Sequence, residues 1–166
     1  MNKIEETQNG KIKVLFHVGS IIEIDRDNCK VLNMEEDYKI FVQKINQFKD
    51  HPLMIGWYIN DETPECFNEN LRNRTLTIHE LDPDHPTISV ENNRKRSPSF
   101  INTTDVYGVD CYPIGDGNNT ENVNYYHRHS RAYNDLLKTK PMWSVPQIFD
   151  WTAIKKLGFK ARAPTL

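Results

Sequence analysis

The stretch His51-Pro-Leu-Met-Ile-Gly-Trp-Tyr-Ile-Asn-Asp-Glu62 decides the fold, because an apolar run of strand length ends abruptly in two adjacent carboxylates. Residues 53–59 are almost continuously apolar, as expected of a parallel strand that is covered on both faces. In barrels of alternating strands and helices, active-site groups gather at the carboxyl ends of the strands. The stretch therefore predicts a buried strand that presents Asn60, Asp61 and Glu62 at a functional edge.

The rest of the chain alternates between strand-like and helix-like patterns. Strands are predicted at residues 12–18, 53–59, 87–90, 105–112 and 141–149, and helices at 34–49, 63–80 and 122–139. In the first helix, the apolar residues from Tyr38 to Phe48 recur at spacings of three and four, which indicates an amphipathic face. No glycine-rich phosphate-binding motif follows any strand, which disfavours a nucleotide-binding doubly wound sheet. The predicted fold class is therefore α/β, with parallel (β/α) repeats of the TIM-barrel type.

Composition and charge argue against two classes of partner. The formal net charge is -2, so no strong field attracts nucleic acid or an anionic membrane. No apolar run approaches the roughly 20 residues of a membrane helix, and the first ten residues lack the apolar core of a secretory signal. Three N-glycosylation sequons, at Asn73, Asn102 and Asn118, keep an extracellular or secretory location open.

Cysteine and histidine spacing predicts no metal site. Cys29, Cys66 and Cys111 are widely separated and lack metal-ligand spacing, so we expect neither a zinc site nor a disulfide framework, only buried or incidental thiols. His127 and His129 are two residues apart on a predicted helix, where their side chains point about 200° apart. We predict neither a metal ion nor an organic cofactor.

Four motifs, in this order, resemble the (β/α)₈-barrel glycoside hydrolases of clan A. The motifs are Gly56-Trp57-Tyr58-Ile59-Asn60-Asp61-Glu62, Leu81-Asp82-Pro83-Asp84-His85-Pro86, Val109-Asp110-Cys111-Tyr112-Pro113 and Val145-Pro146-Gln147-Ile148-Phe149. In that clan, the acid/base glutamate follows an asparagine at the end of the fourth barrel strand, and the nucleophilic glutamate ends the seventh. The resemblance covers about residues 13–165 and implies that residues 53–62 are the fourth strand and 141–147 the seventh.

That assignment implies an incomplete barrel. Strands one, two and eight are then missing from the chain, so residues 12–166 form a single partial barrel domain after an N-terminal extension of residues 1–11. Open parallel edges are a liability for aggregation, so we expect self-association through them. The fragment alone is expected to be inactive.

Glycoside hydrolysis needs a carboxylic acid that protonates the leaving oxygen. Glu62 is the predicted donor, and the neighbouring Asp61 is expected to raise its pKa by like-charge repulsion. Two alternatives stay open for Asp61, which is either the acid itself or a ligand of a sugar hydroxyl. The pair is also compatible with a simple acidic helix start.

The second catalytic group is less clear, because Gln147 stands where the resemblance places the nucleophile. A neutral amide cannot attack the sugar. Asp110, at the end of a predicted strand, is one candidate as the base of an inverting reaction, although a structural role fits it equally well. Asp150 is a second candidate, and an acid in the eighth strand is a third.

Aromatic and amide side chains near the strand ends are predicted to bind the substrate. Tyr58, Tyr112 and Trp151 offer faces for pyranose rings, and Asn60 and Gln147 offer amides for hydroxyls. The leading hypothesis is a glycoside hydrolase-like domain that cleaves O-glycosidic bonds of a carbohydrate by carboxyl general acid catalysis. The alternative is a catalytically degenerate barrel that binds carbohydrate or a protein partner without turnover.

Overall fold

The computed structural model describes residues 12–112, 121–138 and 140–146 of the 166-residue chain. Residues 1–11, Asn118, Gln147, Asp150 and Trp151, all named above, lie outside the described residues. The strands are β1 (Val14–His17), β2 (Ile24–Asp25), β3 (Lys30–Val31), β4 (Met54–Asp61), β5 (Thr87–Glu91), β6 (Val106–Cys111) and β7 (Met142–Pro146). The helices are α1 (Met34–Phe48), α2 (Asn68–Leu81), α3 (Ser97–Phe100) and α4 (Glu121–Leu136).

Five strands form one parallel sheet in the order β1-β4-β5-β6-β7. Apart from the small antiparallel hairpin β2–β3, each strand pairs with the next one along the chain. The described strands therefore lack the reversal of order at which doubly wound sheets bind nucleotides. The predicted α/β class is confirmed, whereas closure of the strands into a barrel stays a prediction.

The amphipathic face of α1 packs in the first of two hydrophobic clusters. Phe41, Ile45 and Phe48 of α1 share this cluster with Trp57 and Ile59 of β4, and all five side chains are buried. Burying a large apolar side chain stabilises a fold by about 1.5–3 kcal/mol. The spacing of three and four that predicts this helix is thus the spacing that its core contacts require.

The second cluster joins β6 to the last helix. Tyr107 and Val109 of β6 pack with Tyr133 of α4 and with Phe100. The register pairs Trp57 with Thr87 and Ser89 with Tyr107, and residues two apart share one face of a strand. Both clusters therefore lie on the same face of the sheet. Val106, Gly108 and Asp110 occupy the opposite face of β6.

The second helix begins later than predicted. Pro64 has an extended ψ of 148°, a 3₁₀ turn spans Glu65–Phe67, and α2 begins only at Asn68. The side-chain oxygen of Asn60 accepts the Thr63 N–H at 3.2 Å, which holds the residues after Glu62 in a loop. The predicted helix start at residue 63 is therefore wrong.

The prediction for the cysteines is also wrong in part. Cys29 and Cys66 form a disulfide, with 5.9 Å between their Cα atoms, whereas Cys111 is a buried free thiol as expected. The two half-cystines are 37 residues apart and become neighbours only when the hairpin β2–β3 folds against the loop after β4. Their linear spacing carries no sign of this pairing.

We expect the Cys29–Cys66 disulfide to stabilise the chain. Closing a loop of this length is worth up to about 4 kcal/mol through the entropy of the unfolded chain. A dithiol reductant should therefore lower the denaturant midpoint, measured by urea unfolding. The double variant Cys29→Ala/Cys66→Ala is the control, because the reductant should leave its midpoint unchanged. Three free thiols in the native, untreated protein would contradict the assignment.

Candidate active site

Carboxylates collect at one edge of the sheet because the strands are parallel and in register. Asp61 at the end of β4 pairs with Val90 of β5, and Val90 pairs with Gly108 of β6. The next residues along these strands are Glu62, Glu91 and Val109, with Asp110 following. The predicted acids Asp61, Glu62 and Asp110 are therefore brought to a common edge.

A bulge in β4 sets which of these side chains share a face. The pairing with β5 shifts by one residue between Tyr58 and Asn60. Tyr58 and Asp61 are three residues apart, which in a regular strand places them on opposite faces. The extra residue returns Asp61 to the face of Tyr58, and the two side chains are hydrogen-bonded.

Glu62 has an unusual backbone conformation. Its φ is 51°, in the left-handed region, and its N–H donates to the carbonyl of Val90 at 3.0 Å. For a residue other than glycine, such a conformation costs on the order of 1–3 kcal/mol and persists only where the surroundings enforce it. Among the described residues, only Cys29 shares this property. Strain of this kind is typical of functional positions.

The Glu62 carboxyl meets Asp110 across the sheet edge. Burial is the main cause that raises the pKa of Glu62 to about 7, followed by the charge of Asp110 and a hydrogen bond to it. Glu91 and Asp61 contribute less. Asp61 thus contributes to the raised pKa of Glu62 as expected, but burial and Asp110 outweigh it.

Asp110 is the acceptor in this pair. It is 3% exposed, and burial raises its pKa, while hydrogen bonds from Tyr112 and Glu62 act in the opposite direction. Those hydrogen bonds favour the carboxylate form of Asp110 and the acid form of Glu62. The arrangement thus favours retention of one proton by the pair near neutral pH, with Glu62 as the favoured carrier.

Both predicted substrate-binding tyrosines of the described chain are held by carboxylates. The hydroxyl of Tyr58 bonds Asp61, and that of Tyr112 bonds Asp110. Burial is the largest cause that raises the pKa of each phenol, and the adjacent carboxylate adds to it. Both phenols therefore remain hydrogen-bond donors across the physiological range.

Asn60 lies apart from the carboxyl pair. Because of the bulge, it pairs with Ser89, on the face that packs against the helices. The side chain is 2% exposed, and its oxygen accepts the Thr63 N–H. Of the remaining predicted site residues, Gln147 and Trp151 are outside the described part of the chain.

Glu91 is a buried carboxylate near the carboxyl pair that the sequence reasoning missed, and it pairs with Val109, on the face of the sheet that packs against the helices. It ends β5, is fully buried, and accepts hydrogen bonds from Arg96 at 2.7 Å and from the Asn93 N–H at 2.9 Å. Its charge also helps to raise the pKa of Glu62. The signal was present, because Glu91 directly follows a predicted strand in the same way as Asp61 and Glu62 follow theirs.

Neither a metal site nor a membrane helix is found in the described chain. Within residues 12–112, 121–138 and 140–146, no group of three or more His, Cys, Asp or Glu side chains is arranged to hold a metal ion. In the same ranges, no helix is long and apolar enough to cross a membrane.

Comparison with known proteins gives structural matches only. No family model matches the chain, and no curated protein matches it significantly. A β-D-glucuronidase from Dictyoglomus thermophilum matches 65% of the chain with 22% identity and a TM-score of 0.50. The described chain therefore shares an α/β fold with part of that enzyme.

Two further structural matches are weaker. They are a β-glucuronidase from Parabacteroides merdae (12% identity, 65% of the chain, TM-score 0.42) and a glycosyl hydrolase family 2 member from Bacteroides cellulosilyticus (14%, 69%, 0.42). The chain spans only 20%, 15% and 19% of the Dictyoglomus, Parabacteroides and Bacteroides proteins, respectively. The shared fold therefore corresponds to part of a much larger protein in the Dictyoglomus enzyme.

The raised pKa of Glu62 predicts how stability depends on pH. Folded Glu62 keeps its proton up to about pH 7, whereas an unfolded glutamate releases it near 4.5. The folded state therefore binds more protons in this window, and stability declines as pH rises through it. Glu62→Gln should reduce that decline, measured by urea unfolding at about pH 5 and about pH 8.

The exposed Glu65 supplies the control. Glu65→Gln makes the same chemical change three residues away and should keep the wild-type decline. Burial lowers the pKa of His129, which contributes in the opposite direction, but this contribution is common to all three proteins and cancels in the comparison. An unchanged decline in Glu62→Gln would contradict the pKa assignment.

Proposed function

We propose that the chain is the catalytic part of a glycoside hydrolase, in which Glu62 protonates the leaving oxygen of an O-glycosidic bond in a carbohydrate. The observation that carries the proposal is the hydrogen-bonded pair of Glu62 and Asp110, which leaves an acid with a pKa of about 7 at the end of a parallel strand. General acids work best when their pKa lies near the working pH. The fold, which is shared with a β-D-glucuronidase, supports the same class of reaction.

Asp110 has a clearer role as the partner of Glu62 than as the base of an inverting reaction. Catalytic carboxyls are about 5–5.5 Å apart in retaining glycosidases and about 6.5–9.5 Å apart in inverting ones. Two carboxyls in direct hydrogen-bond contact leave no room for a sugar carbon or a water between them. In this proposal Asp110 keeps the proton on Glu62 until substrate enters, and Tyr112 holds Asp110 in place.

The group that attacks the sugar must then come from elsewhere. Asp61 lies on the same face as Tyr58 and is exposed at the edge, so it is a candidate within the described chain. Asp150 and an acid of a further barrel strand are the other candidates. The proposal includes closure of the sheet by additional strands, because β1 and β7 each pair on one side only within the described residues. Without such strands, we propose that these edges self-associate.

The leaving group of the substrate gives a direct test of Glu62. A general acid contributes about 10²–10⁴-fold to a rate, and it matters most when the departing oxygen is basic. Glu62→Gln should therefore abolish hydrolysis of alkyl glycosides and oligosaccharides but slow hydrolysis of nitrophenyl glycosides much less. The measurement is kcat/KM over a series of leaving groups, made on the protein with the additional strands that the proposal includes and with Glu65→Gln as the matched control. A uniform loss across the series would exclude the proton-donor role.

A second candidate function is carbohydrate binding without turnover. The close contact of Glu62 and Asp110 favours it, because this spacing excludes Asp110 as the nucleophile or base that hydrolysis also needs. It predicts saturable binding of an oligosaccharide by titration calorimetry, with no release of reducing sugar from any substrate of a broad panel. Detection of product that disappears in Glu62→Gln would exclude this candidate.

A further inference from the structure

The hairpin β2–β3 is a small, internally braced unit. Its two strands pair Ile24 with Val31 and Asp25 with Lys30. In the turn between them, one Asp25 carboxylate oxygen accepts the N–H groups of Asp27 and Asn28 at 3.1 Å each. These bonds fix the turn before it makes any contact with the sheet.

The hairpin is also anchored to the helical layer. The N–H of Glu23, which directly precedes β2, donates to a carboxylate oxygen of Asp37 in α1 at 2.9 Å. Asp37 is buried, although most aspartates are exposed. The hairpin thus has a fixed base on one side and is able to hold another segment on the other.

Two connections run from this hairpin to the segment that carries Glu62. Arg26 Nη2 donates to the backbone carbonyl of Asp61 at 3.1 Å. The Cys29–Cys66 disulfide ties the hairpin to the loop four residues beyond Glu62. The two connections therefore flank the left-handed residue, one immediately before it and one shortly after it.

We propose that Arg26 and the Cys29–Cys66 disulfide position Glu62 against Asp110, and that reduction of this disulfide by a dithiol releases the carboxyl and switches the site off. A left-handed glutamate needs surroundings that enforce it, and these two connections supply that constraint from outside the sheet. Arg26, Cys29 and Cys66 are positioning residues, because none of them touches the carboxyl pair itself.

The redox step is balanced by the dithiol. The reductant supplies two electrons and two protons, the bond between the sulfurs of Cys29 and Cys66 breaks, two thiols form, and the reductant becomes a disulfide. Cys29 and Cys66 are both exposed, so a small dithiol reaches them without unfolding of the chain. The free Cys111 is buried and lies at the end of β6.

This inference deepens the proposed role of Glu62 and rests on it, but it has a readout that needs no substrate. The experiment follows the side-chain carboxyl carbon of Glu62 by NMR during a pH titration of the full chain. In the untreated protein the pKa is expected near 7. After reduction with dithiothreitol, and in Arg26→Met, it should fall toward 4.5, because the carboxyl leaves its buried partner and enters water.

The matched controls separate positioning from general stability. Lys30→Met removes an exposed cation from the same hairpin and should leave the Glu62 pKa unchanged. Arg26→Lys retains a hydrogen-bond donor, so the Glu62 pKa should fall less in this variant than in Arg26→Met. Circular dichroism identifies any variant that fails to fold. If a variant fails, the proposal is tested by the pKa of Glu62 in the natural chain before and after reduction. If reduction lowers stability but leaves the Glu62 pKa near 7, the bridge is only structural and the proposal is wrong.

The same readout distinguishes the two proposals. If the pKa of Glu62 falls on reduction but no glycoside is hydrolysed, the positioning of Glu62 by Arg26 and the disulfide is supported and the proposed function is wrong. If hydrolysis is observed and the dithiol affects neither its rate nor its pH profile, the positioning proposal is wrong and the proposed function is supported. Where both hold, reduction should lower kcat at neutral pH by about tenfold or more while KM changes little.

Discussion

The hydrogen bond between the carboxyls of Glu62 and Asp110 is the interaction on which the account depends. Two like charges in a buried position cannot both ionise at low cost, so one proton is retained. The hydrogen bond raises the pKa of Glu62 and opposes the rise at Asp110, so it favours the proton on Glu62, which directly follows β4. Together with burial, this contact raises the pKa of Glu62 to about 7, and Tyr112 donates a hydrogen bond to the Asp110 partner.

Two departures from regular strand geometry lie next to that contact. The bulge between Tyr58 and Asn60 places Asp61 on the face of Tyr58, and the left-handed conformation of Glu62 follows immediately after it. Both cost stability and both need support from outside the strand. The Val90 carbonyl, which accepts the Glu62 N–H, supplies part of that support from β5. The hairpin β2–β3 contacts the same segment from the other side.

The periodic patterns in the sequence predict the main helices and strands. They do not predict contacts between residues that are distant in sequence, or irregularities in how two strands pair. Helix α1 ends within one residue of its prediction, because Phe41, Ile45 and Phe48 must share a face to be buried. The strands β4 and β6 also lie where their apolar runs predict them. The disulfide was missed, since Cys29 meets Cys66 only after the hairpin has folded. The bulge in β4 was missed as well, because the residues of a bulged strand show the same apolar pattern as those of a regular strand.

The candidate site was predictable to a similar extent and for the same reasons. Functional side chains of parallel strands gather at the carboxyl ends of the strands, and this rule located Asp61, Glu62 and Asp110. Applied to β5 as well, it also locates Glu91. The sequence does not predict which acid has the larger effect on the pKa of Glu62. Asp61 is its neighbour in sequence, whereas Asp110 becomes its neighbour only in the folded sheet and has the larger effect.

The most direct test is a pH titration of the Glu62 and Asp110 carboxyl carbons by NMR, recorded for the natural chain and for Asp110→Asn. Shared protonation predicts that Glu62 titrates near 7 in the natural chain and clearly lower in Asp110→Asn, which has lost the charge of its partner. A Glu62 carboxyl that titrates near 4.5 in the natural chain, or one that is indifferent to Asp110→Asn, would contradict the central claim.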